Sequence, residues 1–440
     1  MFLIQNMLFH GLRICIYGFS LKMEQERRKF DMSIFYLELK RVLITRSTWI
    51  LLLAAILLTG IMSYFPISYV HYTYIDKIGE IVNTSGTKAI EANKRIIVQG
   101  EITPDKIHKA VENYQEVTKK YGSIYSEDIP QDIYNEKILP VRYIIDRLES
   151  VYADPNTKAP VDLSKISPEE AAANFYKKYT EQIKNGVLDP VSQKKALSMY
   201  EKVDKPFKFI YGYGSSDAGS YLIILIFLLV IICTFITAPI FSAEYQTGAD
   251  SILRCTKYGK VKLSVCKVIS AILICSITFA ICISIFSIIE NKVFGWDSLK
   301  ASLQSVEAIC LPPISVGETQ MITAVAGMLT LIAVVSFTLF LSARCKNIAN
   351  SIIISVVFCI LPLILSSISG SNIMNWIRMI LPSGGTGLGN SFGCELVGLT
   401  FLKLGSFSLW APYVITGAAI ISIPLFVALT ILSYCKHELV

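Results

Sequence analysis

Charge is missing from two long apolar stretches of this 440-residue chain. Tyr221 to Ile240 holds no Asp, Glu, Lys or Arg, and Val268 to Ile289 holds none either. Carriers driven by protons or ions use ionisable groups at mid-depth in their spans. Their lack argues against a secondary transporter and for a machine whose energy arrives from elsewhere. Cysteine is absent between Pro66 and Ala218, so that region is not a disulfide-stapled module. The four histidines form no pair at metal-ligand spacing, and no zinc-protease signature occurs. Gly384-Gly385-Thr386-Gly387-Leu388-Gly389-Asn390-Ser391 carries Asn390 where a phosphate loop needs Lys, and it reads as a flexible turn.

Apolar residues make up 53% of the chain and charged residues 17%, and several apolar runs reach membrane-spanning length. An integral membrane protein follows. At about 1.5 Å per residue, a run of about 20 residues crosses a hydrocarbon core of about 30 Å. Six such spans are expected: 49–65, 221–240, 268–289, 321–342, 348–369 and 413–434. The net charge of +7 lies mostly beside these spans, where the positive-inside bias accounts for it. Nucleic acid is therefore not an expected partner.

Arg254, Lys257, Lys260, Lys262 and Lys267 crowd the connection between the second and third spans, which places that connection in the cytoplasm. Lys40, Arg41 and Arg46 put the N-terminus there too, with Trp49 as an interfacial anchor opening the first span. Cys435-Lys436-His437 ends the sixth span on the same side. Within residues 1–48, the segment around Phe35 to Arg41 has the composition of an interfacial amphipathic helix. Residues 1–20 are neither a clean span nor a signal peptide, and Met1, Met23 and Met32 are all plausible starts.

Residues 66–218 are polar and of domain size, and the charge pattern places them outside the cell. Thr103-Pro104-Asp105, Ser167-Pro168-Glu169-Glu170 and Asp189-Pro190 are helix starts, and Asn185-Gly186 is a stop. The domain is expected to be mostly helical, with Tyr114, Tyr121, Tyr143, Phe175, Tyr176 and Tyr179 in its core. Tyr211 to Ser216 reads as a flexible return to the membrane. Cys310 and Cys394 fall in outer loops and are free to pair or not. The fold class is thus an all-α integral membrane protein of six transmembrane helices, with a mostly helical extracytoplasmic domain between helices 1 and 2.

Between the second and third spans, residues 243–255 read as a short amphipathic helix, with Tyr245, Ala249, Ile252 and Leu253 at helical spacing. Glu244, Gly248, Leu253, Thr256, Gly259, Lys260 and Lys267 together resemble the cytoplasmic loop of the ABC transporter type-2 permease family, over Met32 to the C-terminus. Many members carry Pro or Arg where this chain has Lys257 or Lys260. The resemblance implies that 243–255 is a coupling helix contacting a separate ATPase subunit. It implies ATPase-coupling roles for Glu244, Gly248, Leu253, Thr256, Gly259 and Lys260, and an anchor in the inner headgroups for Lys267. It implies a re-entrant segment over 371–412, a homodimer or a pair with a sister permease, contact with membrane lipid, and no cofactor in this chain, ATP and Mg belonging to the partner. The expected function is permease subunit of an exporter of amphipathic or hydrophobic cargo, such as an antimicrobial peptide, drug or lipid-like molecule. The alternative is a non-conducting subunit that passes ATPase-driven motion to the outer domain.

Overall fold

The computed structural model describes residues 34–154, 161–368 and 372–436. The candidate starts at Met1, Met23 and Met32 lie outside these residues. The chain is mostly helical, and six helices are long and apolar enough to cross a membrane: Arg46–Ser68, Ala218–Thr247, Val261–Phe294, Val316–Ser342, Ile348–Ser367 and Ala411–Lys436. The first four and the sixth extend past the expected spans, because residues flanking each run continue the same helix. The third is 34 residues long, about 50 Å at the usual rise. Its ends therefore project past a hydrocarbon core.

Pro239 interrupts the second span, since its ring removes one backbone donor from the helix. The break is repaired from outside. Ser342 Oγ, at the end of the fourth span, accepts from Phe241 N at 3.0 Å and Ser242 N at 3.1 Å, and donates to Ala238 O at 2.6 Å. Ser351 Oγ of the fifth span donates to the same carbonyl at 3.2 Å. One kink thus ties three spans together. The interior shared by the second, third and fourth spans is built from Leu225, Leu229, Phe279, Phe286, Val334 and Leu339, all fully or almost fully buried.

Residues 69–217 form a helical unit with its own core. Thr103, Ser167 and Asp189 cap the helices Pro104–Tyr121, Pro168–Gly186 and Pro190–Tyr200, as the capping residues predict. Tyr114, Tyr143, Phe175 and Tyr179 are buried in the core, and Tyr121 and Tyr176 pack against it. Two short antiparallel ladders, His71–Ile75 with Ile81–Ser85 and Gly100–Glu101 with Lys208–Phe209, were not anticipated. Tyr211 to Ser216 is not a flexible return. Tyr211 and Tyr213 are buried, and a side chain on Gly212 would come within 2.4 Å of Ser298 Cβ. Close packing against the connection between spans three and four fixes this segment.

That connection contributes Phe294, Ala301, Leu311 and Val316 to the same core. The segment before the sixth span joins at the same end. It comprises the helices Asn372–Ile380 and Phe392–Val397 and a hairpin, Phe401–Leu404 with Phe407–Trp410. The hairpin docks on helix Pro190–Tyr200, where Lys403 Nζ meets Asp189 Oδ1 at 2.6 Å and Ser192 and Ser408 share a 2.6 Å hydrogen bond. Within 371–412, expected as a re-entrant segment, 372–380 and 392–397 are helical and 401–410 form the hairpin. The Gly384–Ser391 turn is also packed where flexibility was expected. Residues 382–387 are buried, Arg378 NH1 donates to Asn390 O at 2.8 Å, and Arg378 NH2 pairs with buried Glu395 at 2.7 Å. Cys310 and Cys394 are free; Cys310 is held by the Tyr179 hydroxyl, to which its backbone N donates at 2.9 Å.

Candidate functional site

At the opposite end from the polar domain, the chain makes an elbow between the second and third spans. The expected single helix over 243–255 is two. The second span runs to Thr247, Gly248 turns left-handed at φ 72°, and a separate helix covers Ala249–Cys255. A left-handed residue stops a helix, and glycine takes that conformation without the Cβ clash other residues meet. The break puts the anticipated apolar stripe on different surfaces: Tyr245 is half-buried while Ile252 is 74% exposed.

The next turn is closed on Leu253. Its carbonyl accepts from Thr256 N at 3.2 Å and Thr256 Oγ1 at 2.7 Å. Gly259 N bonds Thr256 O at 3.1 Å. A Cβ on Gly259 would fall 1.7 Å from Leu253 O, so only glycine fits. Leu253, Thr256 and Gly259 are therefore the parts that shape one tight turn. Lys260 is exposed at its end and leads directly into the third span.

Glu244 was expected at a docking surface, but it lies inside. It is 5% exposed, and its Oε1 accepts from both Lys267 of the third span and Arg41 of the helix at residues 34–44. Arg41 NH2 also reaches Glu38 at 2.9 Å. Lys267 is 1% exposed and lies over the Phe241 ring at 5.5 Å. It is thus a buried counter-charge, not an anchor reaching headgroups, because Glu244 offers the nearer anion. Trp49, in contrast, is 61% exposed at the start of the first span, where an interfacial anchor would stand.

Arg254 is buried as well. Its NH2 donates to Cys435 O at 3.1 Å, and its guanidinium lies over the Tyr434 ring at 5.6 Å. The Tyr245 hydroxyl donates to Ala343 O at 3.3 Å. The elbow is therefore fastened to the third, fourth and sixth spans and to the helix at 34–44. Ile252, Cys255, Thr256, Lys257 and Lys260 remain exposed on it. Arg41, Arg254 and Ser342 were missed as site residues: the first two read as ordinary orientation charges, and Ser342 had no distinguishing signal.

The arrangement is a projection whose buried charges tie it to several helices. Among the described residues, no group of three His, Cys, Asp or Glu could hold a metal ion. No protein-family model matches the sequence, and no curated protein matches it.

Proposed function

We propose that this chain is the membrane subunit of an ATP-driven transporter of the ABC type-2 permease kind, exporting an amphipathic or hydrophobic cargo. The observation that carries the reading is the elbow: an exposed isoleucine and two exposed lysines stand on a turn joined to the bundle through buried Glu244, Lys267 and Arg254. A solvated loop that served only to join two helices would have no need of Glu244, Lys267 and Arg254 buried beneath it. A separate ATPase subunit, bringing its own ATP and Mg, docks on Ile252, Thr256, Lys257 and Lys260 from the cytoplasm. Movement of that subunit tilts the elbow, and the Glu244 hub passes the tilt to the second and third spans and to the 34–44 helix. Two copies, or one copy and a sister permease, would form the path.

A second reading is favoured by one observation. The polar domain shares a single core with the connection between the third and fourth spans, so motion of those spans would reach the domain directly. In this reading the subunit drives the outer domain mechanically and conducts nothing.

Affinity purification of the tagged chain from its own membranes tests the first proposal. An ATPase should co-purify and be lost in Ile252→Glu/Lys257→Glu, while the chain itself stays folded. Retention of the ATPase by that variant would remove the docking surface. ATP hydrolysis stimulated by cargo in vesicles favours transport, and stimulation only by an outer protein favours the mechanical reading.

A further inference from the structure

Two adjoining cavities lie in the polar domain beside the first two spans. The nearer, about 340 Å³, is bounded by Pro66 and Tyr69 at the end of the first span and by Asp217 just ahead of the second. The farther is about 500 Å³. Asn93 and Arg142 line both, so the two share a wall and form one groove leading away from the span ends. Its size is that of a site for a drug-sized molecule.

The walls carry two buried polar atoms that have no partner among the described residues: Asn93 Oδ1 and the Tyr143 hydroxyl. Both side chains are more than nine-tenths buried. The amide nitrogen of Asn93 is already engaged, donating to His71 O and to the Tyr211 hydroxyl, each at 3.3 Å. Oδ1 is thus the atom left over, an acceptor facing no donor. A buried acceptor in that state is costly, and a ligand N–H would relieve it.

The charges set the sign of the ligand. Arg142 is committed: its Nε donates to Asp146 at 2.8 Å, its NH2 donates to the Tyr125 hydroxyl at 2.9 Å, and it lies over the Tyr125 ring at 4.6 Å. Asp217 and Glu127 add exposed carboxylates to the lining. Free acceptors, carboxylates and tyrosine faces together select an ammonium on an apolar body.

We propose that this groove binds a drug-sized cationic amphipath, whose ammonium donates to Asn93 Oδ1 and whose apolar body lies on the tyrosine rings. The site is remote from the elbow, and binding there needs no ATPase. Failure of this assignment would leave the transporter reading untouched, and the reverse also holds.

The test uses the full chain in lipid nanodiscs, with protein-free nanodiscs as the partition blank. The probe is monodansylcadaverine, a primary amine on an aromatic body, set against the dansyl amide of 6-aminohexanoic acid, which ends in a carboxylate. The amine should bind saturably, with the acid about tenfold weaker or more, as removal of a charged hydrogen bond implies. Tyr143→Phe removes an oxygen that bonds nothing among the described residues, so the fold is spared and amine affinity should fall about fivefold. Asp217→Asn, on an exposed residue, should also weaken the amine. Equal binding of amine and acid, or unchanged amine affinity in both Tyr143→Phe and Asp217→Asn, overturns the proposal.

Discussion

Neutralising Glu244 should cost far more than neutralising either of its partners, and the reason lies in what each change leaves behind. In Glu244→Gln, Lys267 keeps its charge at 1% exposure with its direct counter-ion gone. Breaking a buried pair this way costs about 3–5 kcal/mol. In Lys267→Met, Glu244 still has Arg41, so the loss should be about 1–2 kcal/mol, within the range of ordinary core substitutions. Arg41→Ala should cost less than about 1 kcal/mol, since that side chain is 39% exposed and its charge is screened. The double variant Glu244→Gln/Lys267→Met removes both members of the buried pair and should return to within about 1 kcal/mol of the parent. Unfolding by SDS titration in mixed micelles, followed by far-UV circular dichroism, measures all four. If Glu244→Gln is as stable as the parent, or the double variant is no better than Glu244→Gln, the hub does not hold the elbow as described.

Other consequences can be checked separately. Gly259→Ala should destabilise the elbow because its Cβ would fall 1.7 Å from Leu253 O. At Gly248, which faces open space, Asn should be tolerated while Ile costs about 1–2 kcal/mol, the left-handed penalty; limited proteolysis of the loop would report both. Lys403, first, and then the Ser192 hydrogen bonds hold the Asp189 carboxyl down at about 2. A depressed carboxyl stabilises above its unfolded value near 4 and loses that contribution as pH falls toward 2. Acidification across that window should release the 401–410 hairpin, seen as faster amide exchange there, and Asp189→Asn should show the release already at neutral pH. Burial, its largest cause, pushes the Cys310 thiol up, so a maleimide should leave Cys310 unmodified in the folded protein while reacting with exposed Cys255.

The spans were legible because about 20 uncharged apolar residues have few stable alternatives to a membrane-crossing helix. The polar domain's helices were legible from Thr103, Ser167 and Asp189, which cap within three residues of themselves. What escaped was everything that depends on distant partners. Glu244 and Lys267 are 23 residues apart, and Arg41 is 203 from Glu244. In sequence all three look like charges flanking spans, and only the packing brings them together indoors. Gly248 stood out only as part of the loop pattern, and its positive φ at a helix stop depends on where the second span ends. The Gly384–Ser391 loop looked mobile because glycine is permissive; Arg378 and Glu395, 17 residues apart, are what bury it. The short ladders carry too few residues for alternation to register.

The measurement that bears most directly on the account is the sidedness of the elbow. In a variant retaining Cys255 as its one reactive cysteine, and in a second carrying Lys77→Cys in its place, a membrane-impermeant maleimide is applied to intact cells and to permeabilised cells. The account requires position 77 to be labelled in intact cells and Cys255 only after permeabilisation. Labelling of Cys255 in intact cells, with position 77 protected, would turn the elbow away from any cytoplasmic ATPase and contradict the proposed function.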